Sequence, residues 1–210
     1  IKVGLKALLH TKYFYISIIV FVCTYILNGL VLAAHVYFTR DVLGNADFYS
    51  IVAIVSVVST IIGIAIAPKM FVKLTKRRTL MFGSVIYIIG CVVGLLGARN
   101  LPLVLLATAI TGLGLAPYVT GIFTFAPDIV DLEVQTGERF EGMVTAVNSV
   151  GVKVGTGLAS AFLGWGLAIG QYNGALDVQP ASVATAETAL IYGLPILMCI
   201  ICIVAMAFWD

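Results

Sequence analysis

The sequence predicts an all-α membrane protein, a bundle of six transmembrane helices. Of its 210 residues, 61% are hydrophobic and only 10% are charged, whereas soluble domains carry about 25% charged residues. Long apolar runs recur along the chain. Lipid requires every backbone polar group to be paired internally, which leaves helices or a closed barrel as spanning structures. The length of the runs favours helices over the short alternating strands of a barrel.

Six apolar runs are long enough to cross a hydrocarbon core of about 30 Å, which takes about 20 helical residues. They cover residues 13–38, 48–67, 80–97, 101–126, 143–170 and 188–209. The connections are short and carry turn residues such as Asn173, Gly174 and Pro180. Residues 1–210 are therefore predicted to form one six-helix transmembrane domain. Since the chain opens without Met and ends directly after an apolar run, we expect it to be part of a longer polypeptide.

The basic residues predict how the helices are oriented. One side of the membrane carries nine of them, and the other side carries only Arg40 and Arg99. Short loops rich in Lys and Arg stay in the cytoplasm, so we expect a multi-pass protein of the cell (inner) membrane with both ends of this segment cytoplasmic. The nine are Lys2, Lys6, Lys12, Lys69, Lys73, Lys76, Arg77, Arg78 and Arg139.

Cysteine and glycine positions predict packing rather than chemistry. All the cysteines lie in apolar runs, where burial is expected, and no cofactor or metal site is indicated. A net charge of +2 does not indicate a nucleic-acid partner. Glycines four residues apart are expected to bring helices together within this bundle rather than between two copies. These residues are Cys23, Cys91, Cys199 and Cys202, and the pairs Gly90/Gly94, Gly151/Gly155 and Gly166/Gly170.

Lys153 is the sharpest candidate for a functional residue. It lies near the middle of the fifth apolar run, where insertion of a Lys costs roughly 2.5–3.5 kcal/mol. We therefore expect it to face the bundle interior or a water-filled cavity and to have a partner, which is either a structural carboxylate on another helix or a solute. Thr145, Ser149, Thr156 and Ser160 fall with it in a sector of about 80° at 100° per residue. Such a stripe would hydrogen-bond a polyhydroxylated solute.

Two other helices carry smaller groups of polar residues. The first has Tyr25, Asn28 and His35, of which His35 is expected at the outer membrane interface. The fourth has Thr108, Thr111 and Tyr118. These side chains either contact a solute or bond to neighbouring helices. The candidate solute-binding residues are Lys153, Ser149, Asn148, Thr145, Thr156, Tyr118, Asn28 and Tyr25.

The connection between the fourth and fifth runs carries charges of both signs. It is either a solvated loop or a cytoplasmic gate that pairs with basic residues of another bundle in one conformation and releases them in the next. The gate candidates are Asp128, Asp131, Arg139 and Glu141.

The run APDIVDLEVQTGERFEGMVTAVNSVGVKVGTG resembles the glycoside–pentoside–hexuronide:cation symporters, the melibiose-permease relatives within the major facilitator superfamily. It departs from the family pattern at Pro127 and Leu132, neither of which removes a charge. KALLHTKYFY and APKMFVKLTKRRTL are also similar to family segments. The matching positions of the run are Asp128, Val130, Asp131, Thr136, Gly137, Arg139, Glu141, Gly142, Lys153 and Gly155.

The resemblance implies the second half of a major facilitator fold, made of two three-helix inverted repeats. Solute would bind at the midplane against an N-terminal bundle that this chain does not contain. Lys153 would lie in the solute and cation region, with Ser149 as a solute contact. Asp128, Asp131 and Arg139 would belong to the cytoplasmic charge network. The coupling cation, Na⁺ or H⁺, would be bound mainly by the N-terminal half.

These observations predict a symporter for a sugar, glycoside, pentoside or hexuronide that works by alternating access. The alternative in the same fold is a transporter for lipid or another non-sugar solute, which would need a more apolar cavity. A channel would need rings of like residues from repeated subunits. An enzyme would need a nucleophile–base pair or a metal set, and the sequence shows neither pattern.

Overall fold

Six long apolar helices make up the fold, and each is long enough to cross a membrane. The computed structural model describes the backbone of residues 12–136, 141–176 and 178–209, and the side chains of residues 15–121, 149–176 and 178–209. No strand occurs in these ranges. The all-α six-helix prediction is therefore confirmed. The helices are α1 (Lys12–Asp41), α2 (Phe48–Lys73), α3 (Lys76–Leu96), α4 (Leu101–Thr136), α5 (Glu141–Ile169) and α6 (Ala181–Ala207).

The fourth helix is longer than its apolar run. It has 36 residues, which is about 54 Å at 1.5 Å per residue and well beyond the bilayer core. The backbone at Asp128 and Asp131 is therefore helical, although the sequence predicted a connecting loop there. The prediction was wrong because polarity limits how far a helix is buried in lipid and does not prevent helix formation.

The sixth helix begins at Ala181, before the predicted start at residue 188. Pro180 precedes it, and the first turns are rich in alanine, the strongest helix former. An α-helical segment (Ala181–Thr188) is followed by a π-helical turn (Ala189–Gly193) and a second α-helical segment (Leu194–Ala207). The wide turn directly precedes Pro195, which has no N–H to donate and would clash with a regular helix.

The helices pack in two groups joined by the second half of α6. The central helix of the first group is α4, which lies against α2 and α3, and the second group pairs α1 with α5. Residues 194–207 of α6 contact both α3 and α1. In α2 and α5 only 22% and 17% of the apolar span is buried, against 44–50% in the other helices. These two helices therefore lie at the edge of the bundle.

Glycines set the closest approaches between helices. A Cβ at Gly155 on α5 would lie 2.5 Å from Cβ of Tyr25 and 2.9 Å from the carbonyl oxygen of Val22, both on α1. Gly90 on α3 meets α4 at Thr111 in the same way. Gly94, Gly151, Gly166 and Gly170 likewise face a neighbouring helix. The prediction that the three glycine pairs pack within the bundle is confirmed. The four cysteines are buried, as predicted.

Replacing Gly155 with Ala should destabilise the bundle. The added methyl group meets the backbone of α1, so α1 and α5 must separate, and overpacking of this kind costs typically 1–3 kcal/mol. Thermal unfolding of the detergent-solubilised protein measures the effect.

Gly157→Ala is the matched control, because a Cβ at Gly157 has no atom within 4 Å in the described structure. We expect its midpoint to lie close to that of the native protein. Equal losses for the two variants would mean that Gly155 does not set the α1–α5 distance.

Candidate solute-binding face

The buried side of α5 is made of small residues that lie against α1. Gly151 faces Phe21, Gly155 faces Tyr25, and Ala159 meets Gly29. Because these residues recur every four positions, they form one stripe along the helix. The opposite side of α5 consequently points away from the rest of the described chain.

That outward side carries a row of polar residues beside the exposed Val150 and Val154. Ser149, Lys153, Thr156 and Ser160 are all exposed, and we call them the α5 polar face. The Thr156 hydroxyl donates to the Val152 carbonyl at 2.6 Å, and the Ser160 hydroxyl donates to the Thr156 carbonyl at 3.1 Å. The Thr156 and Ser160 hydroxyls thus donate their hydrogen bonds within α5. Their oxygen lone pairs remain available to accept hydrogen bonds from a second molecule.

Two glycines leave the same side of α5 open. A Cβ at Gly157 or Gly164 would have no atom within 4 Å in the described structure. Both positions fall beside the polar face at 100° per residue. This part of α5 can therefore be approached closely by a solute or by another backbone.

Lys153 lies on the surface of this bundle rather than in its interior. It is the thirteenth of the 29 residues of α5, near the middle of the helix, and its side chain is exposed. No carboxylate among the described residues forms an ion pair with its ammonium group. A cation at this depth needs water or a counter-charge, so the α5 polar face is unlike a surface made for lipid.

The described outward surfaces of the other helices are mostly aliphatic. The exposed residues of α2 include Ile54, Val58 and Ile61, and those of α3 include Ile89. Side chains of this kind suit hydrocarbon. The contrast with α5 shows that the faces of the bundle are chemically different.

The structure places Tyr118 and His35 away from this face. Tyr118 is 0% exposed, and its hydroxyl bonds to that of Ser84 on α3. In this structure it therefore joins α3 to α4, away from α5, and its role as a solute-binding residue stays a prediction. His35 is buried against neighbouring helices, and its Nδ1 donates to the Val31 carbonyl at 2.7 Å; its position at the outer membrane interface stays a prediction.

Tyr25 and Asn28 lie between these extremes. Both are half-buried on α1, and Cβ of Tyr25 lies under Gly155 of α5. They are therefore close to the α1–α5 contact, whereas Lys153 projects from the far side of α5. Several candidate side chains lie outside the described residues, namely Thr145, Asn148, Asp128, Asp131, Arg139 and Glu141.

Sequence reasoning missed Glu187, which is 1% exposed in α6. The sequence places Glu187 in the connection just before the sixth apolar run, which is predicted to start at residue 188. The signal that could have revealed it is Pro180 followed by helix-forming residues.

In the described part of the chain, no group of three or more His, Cys, Asp or Glu residues is placed to hold a metal ion.

Comparison with known proteins places the chain in a family. The family model described as MFS/sugar transport protein matches residues 2–210. The chain belongs to this family. The resemblance drawn from the residues of the fourth-to-fifth connection and of Lys153 is therefore confirmed, and the chain is a multi-pass membrane protein of a sugar-transport family.

Two curated relatives are carriers. The chain is 23% identical over 175 residues to the glucuronide carrier protein homolog of Escherichia coli (strain K12), an alignment that covers 82% of this chain and 38% of the relative. It is 30% identical over 141 residues to the isoprimeverose transporter of Lactiplantibacillus pentosus, with 65% and 29% covered. The chain thus aligns with well under half the length of each relative.

Cysteine labelling tests whether the α5 polar face meets water. The four native cysteines are buried, so they should react slowly with a charged, membrane-impermeant thiol reagent. In the membrane-embedded protein, Thr156→Cys should react readily, because its side chain lies on the face that is unsuited to lipid.

Ile89→Cys provides the comparison, since Ile89 is also exposed in the bundle but lies on the aliphatic side of α3. We expect it to be protected by lipid. Protection of both positions would show that the α5 polar face also lies in hydrocarbon.

Proposed function

We propose that this chain is the C-terminal bundle of a secondary active transporter that carries a sugar-like solute across the cell membrane by alternating access, coupled to a Na⁺ or H⁺ gradient. The observation that supports this most directly is the α5 polar face, which places a Lys and three hydroxyls on the outside of an otherwise apolar span. Hydroxyls that accept hydrogen bonds suit a polyhydroxylated solute.

A second bundle is the natural occupant of the space beside α5. An exposed ammonium halfway along a transmembrane helix requires water or an anion, and a cavity between two bundles supplies both. The curated relatives are considerably longer than the matched segment, which leaves room for an N-terminal bundle in the same polypeptide. Residues 1–210 would then act as one rocking unit.

Lys153 would supply a fixed positive charge at the solute site. One relative is named for a glucuronide, and the carboxylate of such a solute matches a lysine. Alternatively, Lys153 would pair with carboxylates of the N-terminal bundle while the coupling cation is absent. In both cases, whether the solute or the coupling ion is bound would determine what Lys153 pairs with. That pairing would in turn influence how closely the two bundles pack.

The remaining candidates are assigned by their position around Lys153. Ser149 and Thr156 lie within four residues of it on the α5 polar face, and Thr145 and Asn148 precede them on the same helix. We infer that these four contact the solute. Tyr25 and Asn28 on α1 would border the site.

The charged residues around the α4–α5 connection would close the cytoplasmic entrance to the solute site. Asp128 and Asp131 belong to the last turns of α4, and Glu141 begins α5. With Arg139 they would form ion pairs across the two bundles in one conformation. This end would be cytoplasmic, because nine Lys and Arg residues flank it against two at the other end.

Replacing Lys153 with Ala should reduce coupled uptake. Hydrogen bonds to a charged group contribute about 1.5–3 kcal/mol, so we expect a loss of about tenfold to a hundredfold. The amount of protein in the membrane should stay constant, because the Lys153 side chain is exposed and not part of the core of this bundle. Uptake of labelled glycosides and glucuronides into vesicles, with and without a Na⁺ or proton gradient, is the measurement.

Two control variants test whether a loss of uptake comes from the charge of Lys153 itself. Lys153→Arg keeps the charge and should retain part of the uptake. Lys69→Ala removes an equally exposed cation from the Lys-rich end of α2 and should leave uptake unchanged. Unaltered uptake and ion dependence in Lys153→Ala would remove its proposed role, and transport of a lipid rather than any sugar would favour the alternative function.

A further inference from the structure

Two carboxylic acids are buried side by side at the end of the bundle opposite the Lys-rich end. Glu187 lies in the first segment of α6 and is 1% exposed. Asp41 is the last residue of α1, and its side chain is 3% exposed. Their carboxyl groups are neighbours. The pair therefore joins two helices at a point where water has almost no access.

The oxygens of this pair lack hydrogen-bond donors. Neither carboxylate oxygen of Glu187 receives a hydrogen bond from any described residue, and neither does Oδ2 of Asp41. Burial of a carboxylate without donors is strongly unfavourable, and two adjacent carboxylates repel each other. As two anions, the pair would be unstable where it lies.

One nearby cation offsets only half of the charge. The Nε of Arg40 lies 3.6 Å from Oδ1 of Asp41, and its guanidinium also donates to the Tyr172 hydroxyl at 3.4 Å. Two carboxylates and one guanidinium leave a net charge of −1. A single proton makes the group neutral, and it also provides an O–H donor for one of the unsatisfied oxygens.

Among the described residues, the other elements near the pair bring no second compensating charge to it. Tyr172 comes from the α5–α6 connection. Arg99, on the α3–α4 connection, lines a surface cavity with Thr185 and Thr188 of α6. Among the described side chains of α5, the charged one is Lys153, roughly 24 Å along the helix from its C-terminal end. Proton binding is therefore the simplest way to balance the charge.

The sequence of α6 sets this site beside an irregular turn. The π-helical turn Ala189–Gly193 starts two residues after Glu187. Turns of this kind are rare and occur frequently at functional sites. Pro195 accounts for the π turn, so the evidence for a site is the buried, unsatisfied Glu187, and the turn shows only that the helix beside it is irregular.

We propose that Asp41 and Glu187 hold one proton between them and form a buried proton-binding site in this bundle. The site is separate from the α5 polar face and does not depend on which solute is carried. When α1 and α6 are packed together, the proton is retained as an O–H···O hydrogen bond between the two acids. If this end of the bundle opens, water can solvate the carboxylates, and the proton leaves to water.

Infrared spectroscopy of the complete transporter tests the proposal. At neutral pH the native protein should show the carbonyl band of a protonated carboxylic acid from this pair. Glu187→Gln and Asp41→Asn should each remove the band. Asp47→Asn, which alters an exposed acid at the same end of the bundle, should leave it in place.

A measurement on the native chain covers the case in which a variant fails to fold. Dicyclohexylcarbodiimide reacts with protonated carboxyl groups in apolar surroundings, so peptide mapping should find the label at Asp41 or Glu187 and not at Asp47. Labelling should fall as the pH is raised. Native and Glu187→Gln proteins with the same carbonyl band, or a pair that is unlabelled at neutral pH, would overturn the proposal.

Two further results separate this site from the alternatives. A carbonyl band that is absent until Na⁺ is removed would assign the pair to a metal cation and would also overturn the proposal. Solute uptake by Lys153→Ala, measured in parallel, reports on the proposed transport function. Because the infrared readout needs no transport, the two proposals can fail independently.

Discussion

The close approach of helices at glycine is the interaction on which the rest of this structure depends. Lipid tails are as apolar as the helices, so no hydrophobic force pushes the spans together, and association relies on backbone proximity. Gly63 and Gly112 hold α2 to α4, Gly90 holds α3 to α4, and Gly155 holds α1 to α5. These contacts fix how each helix is rotated. Because the small-residue stripe of α5 packs against α1, the direction of every other side chain on α5 is determined.

The exposure of Lys153 follows from this rotation. Gly151 and Gly155 must face α1, and Lys153 lies about 200° from each of them around the helix at 100° per residue. The polar face therefore cannot turn inward without breaking the α1–α5 contact. The peripheral helix α2 obeys the same packing rule through Gly63, yet its outer surface is aliphatic. The two edge helices thus present different surfaces, one suited to hydrocarbon and the other to water or a polar partner.

The number and type of the helices could be predicted from the sequence because a span must contain about 20 apolar residues. The polar face of α5 could be predicted because helical periodicity brings Lys153 and Thr156 to the same side. The sequence could not predict what each polar residue of a span faces, since such a residue can face either a neighbouring helix or a cavity. Tyr118 shows this limit, because its hydroxyl bonds to Ser84 on another helix. Glu187 was missed for a different reason, since hydropathy marks where a helix leaves lipid and not where it begins.

Charges within the spans of this bundle are stabilised in two different ways. Lys153 keeps its charge in an exposed position, where water or an anion can solvate it, at the cost of a surface that lipid alone cannot cover. Glu187 is enclosed by packed helices, where no donor among the described residues reaches it, and a buried carboxylate of this kind is stable when neutral. The first arrangement requires something outside the chain, whereas the second requires only a proton. A movement that separated the helices at either place would change the solvation of that group, so each charge is coupled to the packing around it.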